Sequence, residues 1–111
     1  MLIFPLRKEW YEKIKSGEKT VEYREVKPYW IKRIDKITGG ANRFHKRNYG
    51  WYYGFYFENL PICKLRLGYT NKYLQAKIEH IDILNTGEYT ALHIDKPVYA
   101  IHLTDVREVK E

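Results

Sequence analysis

Residues 2–25 read LIFPLRKEWYEKIKSGEKTVEYRE, and the period of their apolar pattern changes twice. Leu2 to Leu6 is a short apolar run that predicts a strand, set at an edge or end because Pro5 has no amide to give a ladder. From Lys8 to Lys15 the apolar Trp10 and Ile14 stand four apart with Tyr11 widening the stripe, and Gly17 falls where a left-handed helix cap is wanted. In Glu18 to Glu25, Val21 and Tyr23 alternate with Thr20, Glu22 and Arg24, the pattern of a two-faced strand.

A second helix is predicted from Pro28, tolerated in a first turn, to about Ile37. Trp30, Ile34 and Ile37 lie on one face, Lys32, Arg33 and Lys36 on the other, and Gly39-Gly40 ends it. Ala41 to Tyr49 has no clear period and many basic groups, and reads as a mobile loop. Thereafter the pattern is strand: Trp51 to Glu58, Ile62 to Gly68, Leu74 to Leu84 and Val98 to Val106. Within the third of these, Leu74, Ala76 and Ile78 hold one phase and Ile81 and Ile83 the other, which a bulge near Glu79-His80 explains. Five or six short strands with two helices near the start predict an α+β domain, a curled sheet or small barrel with the helices outside or at its mouth. A chain of 111 residues holds one such core.

Hydrophobic residues make up 44% and charged residues 31% of the chain, a globular balance. No run approaches the roughly 18 apolar residues of a membrane span, and the amino end turns charged before a signal-peptide core can form, so a soluble cytoplasmic protein is expected. Cys63, the single cysteine, cannot close an intramolecular disulfide and reads as a small buried hydrophobe. The net charge of +6 is unevenly spread: residues 1–50 hold 13 Lys and Arg against 6 Asp and Glu, and residues 51–111 hold 7 against 8. The basic stretch from Arg24 to Arg47 is either a solvated face or a stripe that draws in polyanions by counterion release. The 18 aromatic residues, 11 of them Tyr, exceed what one small core needs, and exposed tyrosines suit stacking on unpaired bases.

GEKTVEYR at Gly17 to Arg24 fits the pattern GxKxxExR. Strand alternation puts Glu22 and Arg24 on one face, where the carboxylate can orient the guanidinium. Lys19 has the opposite parity and reaches the same pocket only if the strand begins irregularly. Lys19, Glu22 and Arg24, with Arg7 on the rim, would form a cationic pocket with one carboxylate as acceptor, suited to a nucleobase or phosphate. A surface salt-bridge ladder is the plain alternative.

With its flanking strand and helix this segment resembles the ASCH domain, a branch of the PUA-like β-barrel superfamily. PLRKEWYEKIKSGEKTVEYREVKPYW, LRLGYTNK and YAIHLTDV are similar to small bacterial and phage members, while Thr38 to Leu60 stands as an insertion or divergent stretch. The resemblance implies a single ASCH domain over residues 1–111 that binds RNA or a nucleotide-like ligand. In LRLGYTNK, Gly68 permits a turn where Tyr69 either presents its ring beside Lys72 as a stacking contact or packs under the turn. Family members often carry Asn before that Gly, where this chain has Leu67.

The resemblance also implies two enzymatic alternatives, both metal-independent hydrolases. One cleaves the amide of N4-acetylated cytidine with a Lys and a Thr three positions on; Lys19 matches the Lys, but Glu22 occupies the alcohol's position, leaving only Thr20 nearby. The other is a ribonuclease in which Lys19 and Arg24 stabilise a phosphorane and Glu22 acts as base. His45, His80, His93 and His102 lie 35, 13 and 9 residues apart with no helix-spaced pair, so no metal site is expected, and no cofactor motif occurs. Glu79, beside the expected bulge, is the one later carboxylate that could turn toward the pocket.

Overall fold

The alternating and helical patterns become, in a computed structural model that describes residues 1–38, 44–48 and 52–109, seven strands and two helices. In order these are β1 (Leu2–Leu6), α1 (Lys8–Ser16), β2 (Val21–Glu25), α2 (Pro28–Thr38), β3 (Phe44–Asn48), β4 (Tyr52–Phe57), β5 (Ile62–Leu67), β6 (Tyr73–Leu84) and β7 (Val98–Val109). The class is α+β, with a strongly curled, half-barrel sheet as the pattern predicts. β6 is the spine. It pairs with β7 along its length, with β5 against Tyr73 to Lys77, and with β4 against His80 to Leu84, all antiparallel. β1 adds to β5 in parallel, β2 adds to β7, and β3 adds to β4. Pro5 therefore sits on an end strand, where its missing amide does no harm.

Two register shifts interrupt β6, between Gln75 and Lys77 and between Ile78 and His80. The second is the expected bulge. It lets Ile78 and Ile81 both face inward, fully buried, and sets His80 on the other face. The inward residues of the strands meet Tyr11 and Ile14 of α1 and Trp30 and Ile34 of α2 in one apolar cluster, each fully buried aliphatic or aromatic side chain contributing roughly 1.5–3 kcal/mol. Trp30 stacks on Phe4 at 5.3 Å, which ties α2 to β1. Cys63 is fully buried in β5, and burial pushes its thiol pKa up to about 12.

The structure corrects one reading. Part of the stretch from Ala41 to Tyr49, read as a loop, is β3, paired with β4 from Phe44↔Phe57 to Asn48↔Tyr53. Gly39, Gly40, Arg43 and Trp51 lie outside the described residues, as do the side chains of His45, Lys46 and Arg47. Among the described residues no helix is long and apolar enough to cross a membrane.

Two turns set the surroundings of β2. At the end of α1, Gly17 takes φ +85°, and its amide donates to the Ile14 carbonyl, so the chain turns sharply toward β2. Between β6 and β7, the segment 85–97 folds back on β7, where a side chain at Gly87 would meet Val98 Cγ1 at 2.5 Å. Only glycine permits that approach.

Candidate functional site

Lys19 leaves the helix cap before the β2 ladder begins. Its amide donates back to the Lys13 carbonyl, and the Thr20 carbonyl accepts from Leu103, so strand parity does not yet govern its side chain. Lys19 Nζ lies 3.6 Å from Glu22 Oε1 and 4.3 Å from the centre of the Trp10 ring. Glu22 is held from three sides, because the same Oε1 is 3.2 Å from Arg24 Nη1 and accepts the Tyr23 amide at 3.0 Å. Its side chain is only 5% exposed, and its Oε2 is buried with no hydrogen-bond partner among the described residues.

Arg24 does more than face Glu22. Nη1 also donates to the Tyr23 carbonyl, Nη2 donates to the Pro5 carbonyl at 2.9 Å, and the guanidinium lies over the rings of Phe4 and Trp30 at 5.3 and 5.2 Å. Burial lowers its pKa from the ordinary value, and the Glu22 charge pulls it back up. Because β1 and β2 end opposite edges of the curled path β2-β7-β6-β5-β1, this side chain joins the two edges.

Lys19, Glu22 and Arg24 open onto a cavity of about 460 Å³, with Arg7, Trp10 and Tyr23 in its walls and Ala91 and Leu92 from the segment 85–97 across it. The spacing of Glu22 and Arg24 made them candidates from sequence, whereas Trp10 read as core and residues 91–92 carried no signal. No Ser, Thr or Cys lines this cavity among the described residues; Thr20 lines a neighbouring one of about 340 Å³ that shares Trp10, Lys19 and Tyr23.

The other expected contacts lie apart. Tyr69, in the turn after β5, is 92% exposed, and Lys72 is exposed beside it. The turn is anchored by the Gly68 amide on the Leu6 carbonyl, which places it next to Arg7 on the cavity's rim. Lys32, Arg33 and Lys36 line a separate hollow of about 230 Å³ with Met1, Leu2 and Ile37. There the Arg33 guanidinium covers the Tyr29 ring at 3.5 Å and donates to the Tyr29 carbonyl. Glu79 is exposed and faces His80, not the Glu22 cavity.

Comparison with protein-family models, curated proteins and solved structures finds no match. The chemistry of the site is therefore its own guide.

A second polar cluster lies among the described residues on the opposite face of β7. His80 and His102 are direct cross-strand partners with rings stacked at 3.8 Å, and Asp82 Oδ2 is 3.1 Å from His102 Nε2 and 3.6 Å from His80 Nε2. Burial lowers the His102 pKa, as does the His80 charge, against the opposing pull of Asp82. Separation in sequence hid this grouping, which needs the β6–β7 register to form.

Proposed function

We propose that this chain is a single-domain ASCH-type, PUA-like module that binds RNA or a nucleotide-like ligand in the cytoplasm, with a base in the Lys19–Glu22–Arg24 cavity. The observation that carries the reading is Glu22 Oε2. The Glu22 carboxylate lines a cavity of about 460 Å³ with its Oε1 shared by two cations and its Oε2 without a hydrogen-bond partner among the described residues, and such a group is an acceptor suited to an amino or hydroxyl donor that the ligand brings. Lys19 beside Trp10 supplies positive charge and an aromatic wall for the same ligand. Lys32, Arg33 and Lys36 would hold phosphates of a longer strand, and the exposed Tyr69 would stack on a base that leaves the rim.

Binding is favoured over hydrolysis by the make-up of the cavity. Among the described residues it offers no Ser, Thr or Cys nucleophile to an amide-cleaving mechanism, and Arg24 already donates to three protein oxygens, which leaves little of it for a phosphorane.

The test is fluorescence anisotropy with a labelled single-stranded RNA, and with nucleosides as competitors, in EDTA. Wild type should bind with strong salt dependence, Lys19→Ala should weaken binding at least about tenfold, and Glu22→Gln should change the ranking of the nucleosides. Absence of binding would overturn the proposal. Consumption of RNA or acetylcytidine by wild type, lost in Lys19→Ala, would replace it with the hydrolase.

A further inference from the structure

The geometry points to a binding site for a divalent first-row transition ion of the Zn²⁺ class at His80, Asp82 and His102, on the outer face of the sheet and separate from the Glu22 cavity. Three donor atoms, one from each residue, lie within 4.8 Å of one another. Bonds of about 2.0–2.1 Å at a tetrahedral angle place neighbouring donors about 3.3 Å apart. The two separations from Asp82 Oδ2, 3.1 and 3.6 Å, bracket that value, while the two imidazole nitrogens, within 4.8 Å of each other, close up on an ion by rotation of one ring. Two imidazoles and one carboxylate with a fourth position open to water is a donor set suited to this class of ion.

The surroundings hold the set in place. The bulge between Ile78 and His80 brings His80 opposite His102, and Asp82, two residues on, shares their face. Asp82 pairs with Ala100 on one side and Gly54 on the other, so no bulky neighbour keeps it from leaning toward the histidines. His80 lies stacked between Tyr56 at 4.7 Å and 12° and His102 at 3.8 Å and 17°, so one imidazole, the more exposed His102, turns out of the stack for both lone pairs to meet one ion. Glu79 Oε1 stands 3.4 Å from His80 Nδ1, while Nε2 of the same ring faces Asp82. His80 Nδ1 has no hydrogen-bond partner among the described residues, and Glu79 is the carboxylate near enough to take it up once Nε2 holds the metal, an arrangement that orients metal-bound imidazoles and raises their basicity. Asp82 Oδ1 is buried with no hydrogen-bond partner among the described residues, an acceptor that a bound ion or its water would satisfy.

The chelator-treated chain titrated with ZnCl₂ by calorimetry, and with CoCl₂ by visible absorption, tests this. One ion per chain is expected, with the intense Co²⁺ bands of a four-coordinate site. His80→Ala and His102→Ala should each weaken binding by about a hundredfold or more. Glu79→Gln, at a positioning residue, should weaken it by about tenfold at unchanged stoichiometry and unchanged Co²⁺ band shape. His93→Asn, remote from the cluster, should leave affinity as it is. No Zn²⁺ heat, a Co²⁺ spectrum like that of the aqueous ion, or binding retained in both alanine variants would overturn the site and leave an ordinary carboxylate–imidazole hydrogen bond. Should those variants fail to fold, imidazole ¹⁵N resonances of wild type decide. Zn²⁺ shifts confined to two histidines that also contact Asp82 support the site, and shifts confined to the others refute it. RNA binding plays no part in any of these readouts.

Discussion

Two clusters in this molecule each set a carboxylate between two nitrogen bases, and they lie on opposite faces of β7, since Glu22 pairs with Ile101 and His80 with the next residue, His102. Around Glu22 the nitrogens belong to the ammonium of Lys19 and the guanidinium of Arg24. Around Asp82 they belong to imidazoles, whose charge is conditional. The more deeply buried carboxylate has the ammonium and guanidinium partners. Burying an ion is tolerated only with a counter-charge in place, so Glu22 and Arg24 are committed to each other for as long as the fold exists. The imidazole cluster has no such commitment.

That contrast can be broken most directly at Arg24. Arg24→Ala strips Glu22 of its closest cation and the Pro5 carbonyl of its donor, and should cost about 3–5 kcal/mol in urea denaturation, the usual loss when one member of a buried pair is removed. Arg24→Lys should recover less than half, because an ammonium cannot span the same three oxygens. A loss under about 1 kcal/mol would show the pair to be dispensable. Cys63 sharpens the comparison as a buried acid with no counter-charge among the described residues. With its thiol pKa pushed up to about 12, the native protein should be alkylated by iodoacetamide at pH 8 at least about a hundredfold more slowly than the urea-unfolded chain. Comparable rates would mean that the strand opens readily.

His102→Ala in metal-free protein should cost no more than about 1.5 kcal/mol, the worth of a partly exposed hydrogen bond. A loss near that of Arg24→Ala would erase the distinction between the clusters. On the outer surface the effects should be smaller still. Neutralising Lys32, Arg33 and Lys36 together should leave stability within about 0.5 kcal/mol while flattening the salt dependence of RNA binding by up to about 2 in slope, at roughly 0.7 per phosphate contact. An unchanged slope would assign that face to solvation. Tyr69→Ala should alter stability least of all, within the same 0.5 kcal/mol or so.

The two clusters also differ in how far they could be read from the chain. Glu22 and Arg24 are two apart on one strand, so local alternation alone puts them together, and Gly17 signals the irregular exit that brings Lys19 to them. His80 and His102 meet through a register that depends on a bulge; its approximate position was legible from the change of apolar phase, but not the strand it pairs with or the offset. The same limit explains β3. FHKRN has no apolar alternation, and its strand character comes from pairing with β4, not from its own residues. Trp10 was visible in a helix stripe, but its role as a wall of the cavity, like that of residues 91–92, comes only from packing. The helix, cap and strand boundaries near the amino end were legible because each rests on neighbours in sequence.

The Arg24 bridge from β2 to the Pro5 carbonyl has a kinetic consequence. β6 and β7 are joined by residues 85–97 and can pair as a nearby hairpin, whereas β1 must find β5 across the chain, Leu2 opposite Cys63. Loop closure over that distance makes the parallel pairing a late event. The bridge forms only once both edges are in place, so the cavity comes into being with the final step. A molecule that has lost β1 can keep its hairpin and its imidazole cluster while having no cavity, and a ligand that occupies the cavity would hold the amino-terminal strand in the sheet. Amide exchange in Leu2 to Leu6 would then slow on binding more than exchange in the hairpin, and the occupancy of one small hollow would set how often the whole seam opens.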